Sequence, residues 1–165
     1  MADRGYIGIP DNGGVTARYL HWADAPATLI PTLRAIWEGL RRDSHRMAAA
    51  LLAEDWSHLS AEEQQTGPYT IVPGIGRPSP GGTRPQPARI FIGHAIKVNL
   101  GWLYVVDPET DSVTVYEATV HDRWLRHSVH QLRASVDIST PAGPAAAAPG
   151  EPASQACQPG THQGS

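Results

Sequence analysis

Alternating apolar and polar residues open the chain and predict a β-hairpin over residues 4–26. A short β-rich run at residues 6–9 leads to residues 11–14, Asp-Asn-Gly-Gly, where asparagine and glycine accept the positive φ of a tight turn. Residues 15–22 follow as the second strand. Its period of two places Val15, Ala17, Tyr19 and His21 on one face and Thr16, Arg18, Leu20 and Trp22 on the other.

Apolar residues then recur at three- and four-residue spacing, which predicts two helices. The first covers residues 27–42, with Pro31 in its first turn, where a missing N–H is harmless. Its apolar stripe consists of Leu29, Leu33, Ile36, Trp37 and Leu40. Asp43-Ser44 signals the start of the second helix, which covers residues 45–54. The capping-box pattern of residues 60–63 predicts one further helical turn.

The pattern changes at residue 66 into a segment dense in proline and glycine. Only residues 69–72 resemble a strand there, and residues 73–88 form a long loop. A loop of this length within a compact domain is either functional or disordered, and the sequence leaves both interpretations open. No helix start follows its glycines, so the loop lacks the arrangement that cradles phosphate.

Strand patterns return after this loop. Residues 89–92 and 95–100 are predicted strands, and residues 101–106 form the most apolar run, which predicts a central strand. The turn residues 107–111 lead to a further strand at residues 112–117, which is predicted to pair with the strand at residues 101–106. These residues predict the clearest hairpin after the first.

The elements together predict an α+β domain over residues 1–133, with a mostly antiparallel sheet and two to three helices on one face. Within it, segment 121–133 is left open between an edge strand and a short terminal helix. Residues 134–165 carry no apolar period and are rich in alanine, proline and glycine. We predict a disordered tail there, because such a segment buries too little apolar surface to offset its ordering entropy.

Composition and charge narrow the function classes only slightly. The chain has 165 residues and a formal net charge of −3, which gives no indication of nucleic-acid or membrane binding. Its one cysteine, Cys157, lies in the predicted tail, so no intrachain disulfide forms. The sequence shows no signal-peptide pattern and no apolar run long enough for a membrane span, so we expect a cytoplasmic protein. No cofactor is predicted.

His21, Trp22 and Asp24 form the first group of residues that could carry a function. A histidine beside a carboxylate can act as a general base or bind a polar ligand, and an exposed tryptophan offers a contact surface. Trp22 is the stronger candidate for exposure, because the face of His21 is the more apolar one. The predicted binding residues are Tyr19, His21 and Trp22, and the catalytic candidates are His21 and Asp24. The competing interpretation makes His21 a core residue satisfied by hydrogen bonds.

The second group is His121, Asp122, His127 and His130. Imidazole and carboxylate groups are ligands of zinc and nickel, which makes the three histidines metal-ligand candidates. A helix would place His127 and His130 on one face, whereas a regular strand would separate them. We favour a solvated, histidine-rich edge, so no metal site is predicted.

Residues Arg4-Gly5-Tyr6-Ile7-Gly8, followed by His21-Trp22 and Pro26, resemble the signature of a set of small uncharacterised bacterial and phage proteins. That signature opens with Arg-Ser-x-Ile-Gly and continues to His-Trp-Asp-Gly-Tyr-Pro. This chain departs from it, because Gly5 stands in place of the serine, Ala23 in place of the aspartate and Ala25 in place of the aromatic residue. The resemblance implies a compact α+β domain and no particular activity.

Two function classes follow from these patterns. The first is a non-enzymatic binding or regulatory module whose partner is a protein or a small polar ligand. The alternative is a small hydrolase or transferase that uses His21 and Asp24. An enzyme requires a concave pocket in which His21 and a second polar group converge, whereas a binding module presents Trp22 on an open patch. The sequence does not determine an oligomeric state.

Overall fold

The computed structural model describes residues 4–62, 68–94, 100–121 and 123–133. Within these residues the chain is α+β, with two helices and one mixed sheet of eight strands that is mostly antiparallel. The helices are α1 (Pro26–Gly39) and α2 (Ser44–Ala53). The strands are β1 (Gly5–Asp11), β2 (Gly14–Leu20), β3 (Trp56–Leu59), β4 (Gly76–Pro78), β5 (Ala88–Ile90), β6 (Trp102–Asp107), β7 (Ser112–Ala118) and β8 (Trp124–Gln131).

The strand order is β4-β3-β2-β1-β6-β7-β8, and β5 pairs with the first half of β2. The β1–β2 and β6–β7 hairpins are antiparallel, as the sequence predicted. In the first hairpin, Asn12 and Gly13 take φ values of 39° and 80°, which are the positive angles expected of its turn. β1 and β6 pair in parallel, which a long crossover connection between them permits.

The buried side chains form two clusters that lie on opposite faces of the sheet. The division is visible along β6, where Trp102, Tyr104 and Val106 belong to one cluster and the alternating residues Leu103 and Val105 to the other. The first and larger cluster also contains buried apolar residues from both helices. The larger cluster therefore combines helix residues with one face of β6, and the smaller cluster contains residues of the other face of β6.

The middle of the chain differs from the sequence prediction. Trp56–Leu59, which lies between two predicted helical segments, forms strand β3. Residues 60–62 do not begin the predicted helical turn, because the N–H of Ser60 donates to the carbonyl of Ile75 at 3.0 Å and continues the pairing of β3 with β4. The strand predicted at residues 69–72 is reduced to a single isolated bridge.

The ends of the predicted elements also shift. Segment 121–133 contains β8, so the edge strand is the correct one of its two interpretations. α1 begins at Pro26, which places Pro31 in the helix interior rather than in the first turn. The strand predicted at residues 95–100 lies almost entirely outside the described residues, as does the whole predicted tail. Among the helices that are described, none is long and apolar enough to cross a membrane.

Candidate functional site

Four aromatic side chains form a continuous row at the end of the first hairpin. This aromatic row consists of Tyr6, Tyr19, His21 and Trp22. Tyr6 and Tyr19 are cross-strand partners whose ring centroids lie 6.1 Å apart. The centroids of Tyr19 and His21 are also 6.1 Å apart, and those of His21 and Trp22 are 5.5 Å apart. Each contact is edge-to-face, which is an arrangement that aromatic rings prefer.

The row forms because β2 ends at Leu20. Beyond this point the N–H of His21 donates to the carbonyl of Trp56 and the N–H of Trp22 to the carbonyl of Ser57, both at 2.9 Å. The chain leaves β2 here, and the ring of Trp22 lies beside that of His21. The sequence prediction that these two side chains lie on opposite faces is therefore wrong, because strict alternation does not extend past the strand end.

Trp22 is the exposed end of the aromatic row. Its residue surface is 47% exposed, in agreement with the exposure predicted from the strand pattern. The other four tryptophans, Trp37, Trp56, Trp102 and Trp124, are at most 9% exposed. His21 is half-buried, and its Nδ1 lies 3.3 Å from the hydroxyl of Tyr19. The row thus offers one freely accessible ring supported by partly buried ones.

A guanidinium group lies against the aromatic row. The Cζ atom of Arg84 is 5.4 Å from the centroid of the Tyr19 ring, and its Nε is 3.8 Å from Oδ2 of Asp55. Asp55 is 3% exposed and accepts hydrogen bonds from the backbone N–H groups of Tyr19 and Arg84, at 3.1 and 3.0 Å. A buried carboxylate with these partners is satisfied, and it fixes the position of Arg84 relative to β2.

Asp24, the second catalytic candidate, is not joined to His21. Within the described residues its carboxylate forms no hydrogen bond or ion pair, whereas its backbone carbonyl accepts a hydrogen bond from the hydroxyl of Tyr104. Ala25 occupies the N-cap of α1, and no side chain caps that helix. The structure therefore does not assemble a His21–Asp24 pair through contact.

The histidines near the C-terminal edge converge in an unexpected way. The β7–β8 register shifts between Val115 and Tyr116, which makes His127 the extra residue of a bulge. As a result, Nδ1 of His127 and Nε2 of His130 both lie beside the hydroxyl of Ser128, at 3.0 and 2.8 Å. The sequence argument that a strand separates these side chains did not allow for a bulge.

His121 does not contact the Ser128 hydroxyl. Its backbone N–H donates to the Thr119 hydroxyl at 3.3 Å. Asp122 lies outside the described residues. Within the described part of the chain, no group of three or more histidine, cysteine, aspartate or glutamate residues is arranged to hold a metal ion.

A cleft of about 580 Å³ lies where the end of α2 meets β3, β4 and the segment before β4. Ser57 lines the cleft and also accepts the backbone hydrogen bond of Trp22, so the cleft adjoins the aromatic row. Neither His21 nor Asp24 lines it. The cleft and the aromatic row are thus neighbouring but separate features.

Two departures from the bacterial and phage signature are neighbours in the structure. A Cβ atom added at Gly5 would lie 2.3 Å from the carbonyl oxygen of Trp102 and 2.7 Å from the Cβ of Ala23. Ala23 itself is completely buried. A side chain at position 5 would therefore not fit this packing.

The fold and the site together define a class: a small α+β domain that presents an aromatic patch at the end of a hairpin. Comparison with protein-family models, with curated proteins and with solved structures finds no match to this chain.

Proposed function

We propose that the chain is a non-enzymatic binding module that contacts a partner protein through Tyr19, His21 and Trp22, and that it acts in the cytoplasm, where such contact regulates the partner. The observation that carries the proposal is the aromatic row, which ends in the 47% exposed ring of Trp22. Tryptophan, tyrosine and arginine are the residues most enriched among binding hot spots. Arg84 beside Tyr19 completes this combination.

The hydrogen bonds that position the aromatic row also favour a binding function. Tyr19 is held by its backbone bond to buried Asp55, and Arg84 is held by the same carboxylate. Trp22 is held by its backbone bond to β3. A partner would therefore meet side chains that are already ordered, which lowers the entropic cost of association.

A hydrolase or transferase centred on His21 and Asp24 has less support. The Asp24 carboxylate forms no hydrogen bond or ion pair with His21 in the described part of the chain, and neither residue lines the cleft described above. Position 23, which corresponds to the aspartate of the bacterial and phage signature, is a buried alanine. The acid–base pair that such an enzyme requires therefore lacks its second member.

We further propose that residues 1–133 form one domain with both helices on one face of the sheet. A relationship to the small bacterial and phage proteins is part of the same proposal. In its support, the two halves of the signature meet at one end of the sheet, where Gly5 pairs with Leu20 immediately before His21.

The test compares protein partners recovered from a bacterial lysate by wild type and by three variants. Trp22→Ala should lose the partner while its unfolding free energy changes by roughly 0.5 kcal/mol or less, as for other surface substitutions. Leu125→Ala is the matched control, because Leu125 is also an exposed apolar residue, at 60%, but lies on β8. Asp24→Asn should bind like wild type.

The proposal is contradicted if Trp22→Ala still binds the partner. It is also contradicted if Leu125→Ala loses the partner to the same extent as Trp22→Ala. If Asp24→Asn alone removed an activity while it melted like wild type, the enzymatic alternative would replace it.

A further inference from the structure

The rings of the aromatic row are inclined steeply to one another. The planes of Tyr19 and His21 meet at 67°, and those of His21 and Trp22 meet at 76°. A flat platform for stacking, of the kind that binds bases, requires ring faces that open to the same side. Inclined rings leave grooves between them instead. The row therefore presents one groove between Tyr19 and His21 and another between His21 and Trp22.

The spacing of these three rings matches the repeat of a polyproline II helix. Their centroids are separated by 6.1 Å and 5.5 Å. A polyproline II helix rises about 3.1 Å per residue, so two of its residues span about 6.2 Å. Each groove thus accommodates a dipeptide, and the two grooves accommodate a segment of the form Pro-x-x-Pro. Each dipeptide of that segment contains one proline, and the two prolines lie one full turn apart, because the helix has about three residues per turn.

Polar atoms beside the grooves suit the backbone of such a helix. A polyproline II segment has no internal hydrogen bonds, so its carbonyl groups need outside donors. The indole N–H of the exposed Trp22 is one such donor. The hydroxyl of Tyr19 lies 3.3 Å from Nδ1 of His21, and a proton donated there leaves the neutral imidazole with its own proton on Nε2. Each groove is therefore bordered by a hydrogen-bond donor.

Arg84 places a positive charge at the Tyr19 end of the row. Its side chain is 57% exposed, and its Cζ lies 5.4 Å from the centroid of the Tyr19 ring. Its Nε lies 3.8 Å from Oδ2 of the buried Asp55, whereas its terminal nitrogens form no hydrogen bond or ion pair within the described residues. A guanidinium group has five N–H donors and binds carboxylates through its planar fork. An acidic residue of the partner would therefore complement Arg84.

We propose that the aromatic row recognises a proline-rich segment of the partner protein, with a Pro-x-x-Pro sequence in the polyproline II conformation and an acidic residue beside it. Its prolines pack into the two grooves, its carbonyl groups accept hydrogen bonds from His21 and Trp22, and its carboxylate pairs with Arg84. Aromatic-lined grooves are a general means of binding such segments, which are preformed and lose little entropy on binding. This inference rests on the proposed function of the row and specifies the chemistry of the partner.

Fluorescence anisotropy of the full chain with labelled peptides tests the inference. The probes are Glu-Ala-Pro-Pro-Ala-Pro-Pro-Ala and the same sequence in reverse order, so that the acidic residue precedes the prolines in one and follows them in the other. We expect one of the two to bind with a dissociation constant below about 1 mM. Replacement of its prolines with alanine should weaken binding about tenfold or more, because the polyproline II conformation is then no longer preformed.

Variants of the chain test each contact. Trp22→Ala and His21→Ala should each weaken binding of this peptide about tenfold or more, as expected of binding hot spots. Arg84→Gln should remove the advantage of this peptide over the same peptide with glutamine in place of glutamate, because both changes delete one ion pair. The matched controls are Leu125→Ala and Arg126→Gln, which change exposed residues on β8 and should bind like wild type. Circular dichroism confirms that each variant is folded.

The inference is overturned if neither peptide binds, or if the alanine-substituted peptide binds as tightly as the proline peptide. An unchanged preference for glutamate in Arg84→Gln would equally contradict it. The combined variant Pro141→Ala, Pro144→Ala, Pro149→Ala and Pro152→Ala should bind the peptide like wild type. If it bound about tenfold more tightly, the chain's own residues 134–165 rather than a partner would occupy the grooves.

The lysate comparison separates this inference from the function on which it rests. A partner that requires Trp22 but is not displaced by excess peptide would refute the proline-rich segment and leave protein binding by the aromatic row intact. A partner that Trp22→Ala retains would refute both.

Discussion

Asp111, in the turn between β6 and β7, connects three distant parts of the chain. Its Oδ1 accepts a hydrogen bond from the Ser44 hydroxyl at 2.5 Å, and its Oδ2 lies 2.9 Å from Nη2 of Arg133. The same hydroxyl accepts the indole N–H of Trp37 at 2.8 Å. The hydrogen bond from Ser44 lowers the pKa of Asp111, Arg133 adds to this effect, and partial burial opposes it.

Asp111→Asn should therefore reduce the free energy of unfolding at neutral pH by about 1–3 kcal/mol. Because the folded pKa lies below the ordinary value of 3.8, the carboxylate stabilises the fold above that pH, and the contribution is lost as the pH falls through the folded pKa. Urea denaturation of wild type and Asp111→Asn, at pH 7 and at the lowest pH that keeps both folded, measures the loss of stability and its dependence on pH. If the difference in unfolding free energy between wild type and Asp111→Asn stays the same size at low pH, the ionised carboxylate of Asp111 does not stabilise the fold in this way.

At the scale of single residues, the sequence predicts local features and misses distant ones. The exposure of Trp22 follows from the pattern of its own strand. Asp55 is 36 positions from Tyr19 and 29 from Arg84, and no periodicity connects residues at those separations. The support of the aromatic row therefore becomes visible only in the folded chain.

Among the elements, the first hairpin was the most predictable, because its signals are adjacent in the sequence. The turn Asn12-Gly13 has positive φ at both positions, and the Thr16 hydroxyl donates to Oδ2 of Asp11 across the turn at 2.7 Å. These contacts need no distant partner, so the pattern of residues 4–20 alone was sufficient.

Gly13→Ala should lower the free energy of unfolding by about 1–2 kcal/mol, because a residue with a Cβ resists the left-handed conformation. Gly39→Ala is the matched control: both glycines have open space around a Cβ, but Gly39 is helical and has no positive φ. That variant should be neutral or stabilised by up to about 1 kcal/mol. Equal effects of the two substitutions in chemical denaturation would show that the turn does not require glycine.

The short strands were not predictable for a physical reason. β3 has four residues and β4 has three, so neither is long enough to display an alternating pattern. β3 joins β2 through the single pair Leu20 and Trp56, a contact between residues far apart in the sequence. β8 is an edge strand with exposed residues on both sides of its backbone, which is why its pattern did not distinguish strand from helix.

At the scale of the whole molecule, composition and pattern were sufficient for the α+β class and for a mostly antiparallel sheet. They did not reveal the parallel pairing of β1 with β6, which depends on the route of about 90 intervening residues. The cleft also escaped prediction, because its walls come from α2, β3 and the proline-rich segment around β4. The described part of that segment is tied to β2 by the hydrogen bond from Arg18 to the Arg84 carbonyl, and Asp55 accepts the backbone N–H of Arg84.

Truncation after Ser135 should leave the melting temperature unchanged. The shortened chain retains buried Leu132 and the ion pair between Arg133 and Asp111, and it loses only residues without an apolar period. Thermal unfolding followed by circular dichroism compares it with the full chain. A midpoint several degrees lower would mean that residues beyond 135 contribute to the folded domain.

The central claim, that Trp22 lies in the binding surface, is tested most directly by acrylamide quenching of tryptophan fluorescence. The other four tryptophans are at most 9% exposed, so Trp22 provides most of the emission that acrylamide can reach. Trp22→Phe serves as the baseline, since it removes this emission and keeps an aromatic ring.

With the partner identified by the lysate comparison at saturating concentration, the quenching constant of wild type should fall to nearly that of Trp22→Phe. The constant of Trp22→Phe itself should change little. A wild-type constant that is the same with and without bound partner would show that Trp22 remains open to solvent in the complex, and this would contradict the account.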